Sequence, residues 1–167
     1  MRIQRLRFGL ISQRDMPLPP YKGSAFRGVL GHALKRVVCP DGGVPCEECP
    51  LAESCLYLVL LETPASGRAH HFGPHRDPHP FILWPPLTRD AVLAFGRCYH
   101  QEISLLGASA LSVPHIALAV QEMGRMGLGK GRCAVFCFAS TIRGACTGRG
   151  HSLWMFPNLL PGPLASS

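Results

Sequence analysis

Residues 24–38 read Ser24-Ala25-Phe26-Arg27-Gly28-Val29-Leu30-Gly31-His32-Ala33-Leu34-Lys35-Arg36-Val37-Val38, and their periodicity decides the fold. Phe26, Val29, Leu30, Ala33, Leu34 and Val37 recur at helical spacing, so the stretch predicts an amphipathic helix with Ser24 available as its cap. In front of it, residues 2–11 place Leu6, Phe8 and Leu10 on one side and Arg5, Arg7 and Gly9 on the other. That period of two predicts a half-buried strand, separated from the helix by the turn-forming stretch Pro17 to Pro20. Behind the helix, Leu56–Leu61 and Phe81–Trp84 are short apolar runs, and Ala91–Leu106 is a further extended region. They read as middle strands, a hairpin carrying a long insertion rich in Pro, Gly and His. A second helical pattern starts at Ser112 with Val113, Ile116, Ala117, Val120 and Met123 on one face, stopped by the glycines from 124 onward. Arg132–Phe138 then predicts the last strand. The order β-α-β-β-α-β is the split βαβ, ferredoxin-like arrangement of an α+β domain, with two helices on one face of an antiparallel sheet.

This pattern bounds one domain over residues 1–138, with residues 39–55 as an insertion. A chain of 167 residues is long enough to bury its own core. From Cys133 to Ser167 there is no Asp, Glu or Lys, and periodicity fades after about Phe138. The expectation for 139–167 is an irregular tail, disordered or produced by a frameshift or truncation.

The chain carries 17 Lys plus Arg against 10 Asp plus Glu, a formal charge of +7, which favours an anionic partner and makes nucleic acid the leading one. The N-terminal residues alternate charged with apolar side chains, so no secretion signal is expected. An uninterrupted apolar stretch of about 18 residues is missing, so no membrane partner is expected either. The predicted location is the cytoplasm. In a reducing cytosol the eight cysteines argue against a disulfide framework.

Four of those cysteines, Cys39, Cys46, Cys49 and Cys55, are spaced C-x6-C-x2-C-x5-C in a loop with Gly42, Gly43, Pro45 and Pro50. Such a loop can wrap thiolates tetrahedrally around Zn²⁺. Structural zinc is the first expectation. An iron–sulfur cluster is the alternative, because ligand spacing does not separate the two. Four thiolates leave no open coordination position, so no catalytic metal is expected.

Taken together, several segments resemble one family. Pro19-Pro20-Tyr21-Lys22-Gly23-Ser24, Arg27-Gly28-x-x-Gly31-His32 and Cys46-x-x-Cys49-Pro50-Leu51 follow in this order. Leu61-Glu62-Thr63-Pro64, His79-Pro80-Phe81 and the glycine-rich Met123–Arg132 stretch come later. They resemble the CRISPR-associated RAMP proteins, specifically the endoribonucleases of the sixth Cas family that process precursor crRNA, over roughly residues 1–132. The resemblance implies a ferredoxin-like RAMP module, CRISPR repeat RNA and other Cas proteins as partners, and metal-independent cleavage by 2′-hydroxyl attack that leaves a 2′,3′-cyclic phosphate. It also implies, by order along the chain, Tyr21, His32 and Lys35 as catalytic residues, with Lys22 as a substitute. The alternative from another class is a non-catalytic RNA-binding subunit of a CRISPR effector complex.

The residues themselves suit such chemistry. Imidazole, with an ordinary pKa near 6.5, can take a proton from a 2′-hydroxyl or give one to a departing 5′-oxygen, and a nearby cation can stabilise the phosphorane. On the helix, His32 follows Gly28 by one turn and precedes Lys35 and Arg36, with glycines 28 and 31 leaving room for a phosphodiester backbone. A solvated helix histidine is the competing reading. Lys22, Arg27 and Arg36 join Arg125, Lys130 and Arg132 of the glycine-rich turn as the expected RNA contacts, backbone N–H groups and cations together cradling phosphate. A plain helix-to-strand connection is the alternative for that turn. The loop His70 to His79, with four of the eight histidines, reads as a surface insertion, and His100 and His115 as isolated residues without a role.

Overall fold

The computed structural model describes residues 2–40, 44–62, 78–128, 135–142 and 151–154. In chain order the strands are β1 (Ile3–Ser12), β2 (Met16–Pro17), β3 (Phe81–Trp84), β4 (Val92–Leu93), β5 (Cys98–Leu106), β6 (Val135–Ile142) and β7 (His151–Trp154); the long helices are α1 (Lys22–Val38) and α2 (Val113–Met126). Five strands form one sheet in the order β3-β5-β1-β6-β7, and β2 pairs with β4 in a small second sheet. Every described pairing is antiparallel. The molecule is a mixed α+β structure.

Alternation along β1 accounts for its central place. Leu6, Phe8 and Leu10 are buried with Ile103 and Leu105 of β5 and Phe81 of β3, whereas Arg5 and Arg7 emerge on the other face. Phe26, Leu30, Ala33 and Leu34 of α1 and Ile116, Ala119, Val120 and Met123 of α2 complete a single core. Nonpolar burial of this kind is worth about 25 cal/mol per Å² removed from water, which is what holds the two apolar stripes to the sheet. On the far face Glu102 accepts from Arg7 Nε at 2.9 Å and pairs with Arg5 at 2.6 Å. Arg5 lies 5.7 Å from the Trp84 ring centroid, and Trp84 Nε1 donates to Ser104 Oγ at 3.2 Å.

Several expectations need correction. Leu56–Leu61 is not a strand: Leu58–Glu62 forms a π-helical turn that buries Leu60 in the core and brings Leu61 to Gly31 of α1. A short apolar run lacks the length to separate a buried helical turn from a strand, and here packing decides. Helix α1 starts at Lys22, with Tyr21 at the N-cap, and Ser24 only returns its hydroxyl to the Tyr21 carbonyl at 3.4 Å. Helix α2 runs through Gly124 and ends at Gly127, whose φ of 81° is the left-handed conformation glycine adopts readily. The last expected strand continues to Ile142, and β7 pairs with it across Ala139–Trp154 to Ile142–His151, inside the stretch read as an irregular tail. A ladder of backbone hydrogen bonds does not require alternating side chains, so periodicity could not reveal this pair. The remaining residues of 143–167 lie outside the described ones, as do Lys130, Arg132 and most of the histidine loop. Among the described residues, no helix is long and apolar enough to cross a membrane.

Candidate functional site

His32 is exposed on α1, and its Nδ1 lies 2.8 Å from the Gly28 carbonyl oxygen. A carbonyl can only accept, so Nδ1 carries a proton, and in the neutral form of the ring the lone pair is left on Nε2. This is the tautomer a general base needs. Beside it, a Cβ at Gly28 would meet no atom of the described residues within 4 Å beyond its own helix backbone and chain neighbours, so the surface there is open among them. Gly31 differs: a Cβ there would stand 3.3 Å from Leu61 Cδ1. Gly31 therefore seats the π-helical turn on α1, and its expected role in admitting a phosphodiester is replaced by packing.

The other expected catalytic groups are not gathered around His32. Tyr21 is 74% exposed at the start of α1, eleven residues earlier, which is about 16 Å along a helix axis. Lys35 is turned to the cysteine loop, where its ammonium hydrogen-bonds to Cys46 and stands 5.4 Å from the Tyr57 ring centroid. The bond to Cys46 and the charge there raise the lysine pKa above its ordinary value, outweighing desolvation. Tyr57 donates to Glu62 Oε1 at 3.1 Å, and burial, then that bond, push the phenol upward.

The expected RNA contacts fall into two described groups. Arg36 and Arg125 converge on Glu122, at 3.2 and 3.7 Å, and both remain largely exposed. Arg27 donates to His79 Nε2 at 2.8 Å and lies 5.9 Å from the Phe81 ring centroid, which fixes that guanidinium near the first turn of α1. Lys22 stands close enough to Asp90 to help lower its carboxyl pKa, although hydrogen bonding to Thr88 is the main cause.

The cysteine loop follows the C-terminus of α1. Cys39 caps the helix, its N–H donating to the Lys35 carbonyl at 2.9 Å. Cys46–Glu48 and Ala52–Ser54 are single 3₁₀ turns, followed by Cys49 and Cys55 respectively. No disulfide joins these cysteines. Cys39, Cys49 and Cys55 line one cavity of about 490 Å³ together with His115 from the first turn of α2. Cys46 is absent from that lining and faces Lys35 instead. The donor set is thiolate-rich and suits a borderline-soft cation. As the side chains stand, no three His, Cys, Asp or Glu among the described residues are close enough to hold a metal ion together.

Sequence reasoning missed His115 and Gln101. The histidine stands 60 residues beyond Cys55 and shows its neighbours only in three dimensions. Gln101 occupies a core-facing position of β5 at 1% exposure, with neither side-chain amide atom hydrogen-bonded. A polar residue at the buried phase of an alternating strand is the signal that was present.

An uncharacterized protein of Archaeoglobus fulgidus is 30% identical to this chain over 111 residues, covering 66% of the chain and 37% of that protein. The chain thus spans little more than a third of the relative it matches. The model of one family, described as an N-terminal domain, matches residues 1–147. On that match, which runs through both helices and four of the five strands of the main sheet, the chain belongs to the AF_1859_N family of N-terminal domains.

Proposed function

We propose that this domain is the N-terminal, ferredoxin-like RAMP module of a CRISPR-associated endoribonuclease that cuts precursor crRNA within its repeats. The sheet order β3-β5-β1-β6, with α1 and α2 packed together over its buried side, supports the ferredoxin-like assignment. The observation that carries the activity is the geometry of His32, an exposed imidazole whose Nδ1–H is tied to the Gly28 carbonyl, which leaves Nε2 as the ring's remaining nitrogen, one helical turn from the open surface at Gly28. In this reading Nε2 takes the proton of a ribose 2′-hydroxyl. The oxygen attacks the adjacent phosphorus, the bond to the 5′-oxygen breaks and that oxygen takes a proton from water, so that a 2′,3′-cyclic phosphate and a 5′-hydroxyl result. Arg36, one turn along the helix, offsets charge on the phosphorane, and Lys35 adds to the positive field while it braces the cysteine loop. Tyr21, Lys22 and Arg27 engage the RNA further along, and Arg125, Lys130 and Arg132 extend the phosphate track. The cysteine loop holds a structural zinc ion.

The spread of Tyr21, His32 and Lys35 favours a second reading, a non-catalytic RNA-binding subunit of a CRISPR effector complex. Purified protein incubated with labelled repeat RNA in EDTA separates the two. The first reading expects cleavage by the parent and loss of at least about a hundredfold in His32→Ala, the contribution typical of a general base. Cleavage at the parental rate by His32→Ala removes the histidine from the mechanism, and tight binding without cleavage favours the subunit.

A further inference from the structure

We propose that Cys39, Cys49, Cys55 and His115 form a four-coordinate Cys₃His site for a zinc-class cation, and that Cys46 stays outside it, paired with Lys35. The inference rests on the metal reading of the cysteine loop proposed above and changes its ligand set. All four residues line one cavity, and they come from three places: the cap of α1, the loop, and the first turn of α2. As the side chains stand no three of them are within reach of one ion, so binding has to draw them together. A metal bound there would tie the loop to both helices instead of only closing the loop on itself. Cys46 shares a turn with Cys49 but is absent from the residues that line the cavity, and it lies close enough to Lys35 to raise the lysine pKa. Three thiolates and one imidazole are a common closed zinc set.

The loop also needs such a cross-link. None of its described residues from 44 to 55 is buried. Its backbone hydrogen bonds are all local, from Glu48 to Pro45, Cys49 to Cys46, Ala52 to Cys49, Ser54 to Leu51 and Cys55 to Ala52. Ordering a segment costs about 1–2 kcal/mol per residue, and these residues have no core to offset it. Metal binding supplies folding free energy in such segments. Because the loop makes few contacts of its own, drawing Cys49 and Cys55 toward Cys39 and His115 disturbs little besides the cavity.

Cobalt(II) titration of the full chain, reduced and anaerobic, reads the ligand set directly, since thiolate-to-cobalt charge transfer scales with the number of thiolates and the d–d bands report tetrahedral geometry. The parent is expected to bind one ion with three-thiolate intensity. Cys46→Ala leaves the spectrum unchanged, whereas Cys39→Ala, Cys49→Ala and Cys55→Ala each lose about a third of the charge transfer. His115→Cys gains about a third, a readout that misfolding cannot mimic. A loss of about a quarter in Cys46→Ala, with no change on replacing His115, overturns the Cys₃His set while leaving a metal in the loop. Acid-labile sulfide in the isolated protein overturns it in favour of an iron–sulfur cluster. An absence of cobalt binding by the parent overturns the metal reading itself.

Discussion

Replacing Gly28 by Ala tests the helix face in two opposite directions at once. Among the described residues a Cβ at this position meets nothing within 4 Å beyond its own helix backbone and chain neighbours, so the methyl enters open space. Alanine is favoured over glycine in a helix interior by about 1 kcal/mol. For a domain of this size that is a rise in Tm of about 2–4 °C. The His32 bond survives, because it uses the backbone carbonyl of residue 28. RNA binding moves the other way: a phosphodiester held off by the methyl loses one of its charge-assisted contacts, worth about 1.5–3 kcal/mol, or about ten- to a hundredfold in Kd. Gly31→Val is the control. The Cβ there already stands 3.3 Å from Leu61 Cδ1, so branching at this position overpacks the turn and is expected to cost about 1–3 kcal/mol of stability. Thermal melts and RNA titrations at fixed salt read both quantities. A Gly28→Ala protein that is more stable and binds repeat RNA as tightly as the parent refutes the claim that RNA lies against this face.

Other expectations follow from single residues. Gln101→Met removes an amide buried without partners and keeps the volume, so stability is expected to rise by about 1–3 kcal/mol in denaturant melts; a fall of that size means the amide has a partner in solution. For Glu102, partial burial pushes the carboxyl pKa up, but the hydrogen bond from Arg7 and the charge of Arg5 outweigh it, and the net value is lowered. A lowered folded pKa means its contribution is complete above the ordinary value of 4.5 and is lost as the pH falls through the folded value. Glu102→Gln should therefore flatten the acid limb of Tm against pH, and an unchanged limb would show that the pair carries no linkage. Because RNA binding is expected to run through phosphate contacts, log Kd should rise linearly with log salt, and losing Arg36 should reduce that slope by about one unit.

What the sequence could disclose depended on whether neighbours or distant partners decide each feature. Leu6, Phe8 and Leu10 of β1 and Phe26, Leu30, Ala33 and Leu34 of α1 each bury one face, so period alone located them. The same holds for Ile116, Val120 and Met123 of α2. Leu58–Glu62 was misplaced because five apolar-rich residues satisfy a strand and a helical turn equally, and only the approach of Leu61 to Gly31 distinguishes them. The β6–β7 pair was missed because it is made by backbone groups. For the candidate site, the exposure of His32 and its neighbours on α1 was legible from the helix phase. The turn of Lys35 toward Cys46 and the cavity that His115 shares with three cysteines were not, since both depend on where the loop settles after α1 ends.

The most direct measurement is cleavage, in EDTA, of a repeat RNA carrying a single 2′-deoxy substitution at the cleaved nucleotide, beside the all-ribose RNA and with the product ends analysed. The account predicts that the all-ribose RNA is cut to a 2′,3′-cyclic phosphate and a 5′-hydroxyl, and that the deoxy RNA is bound but left intact. Cutting of the deoxy RNA at the same position, or a requirement for added divalent metal, contradicts it.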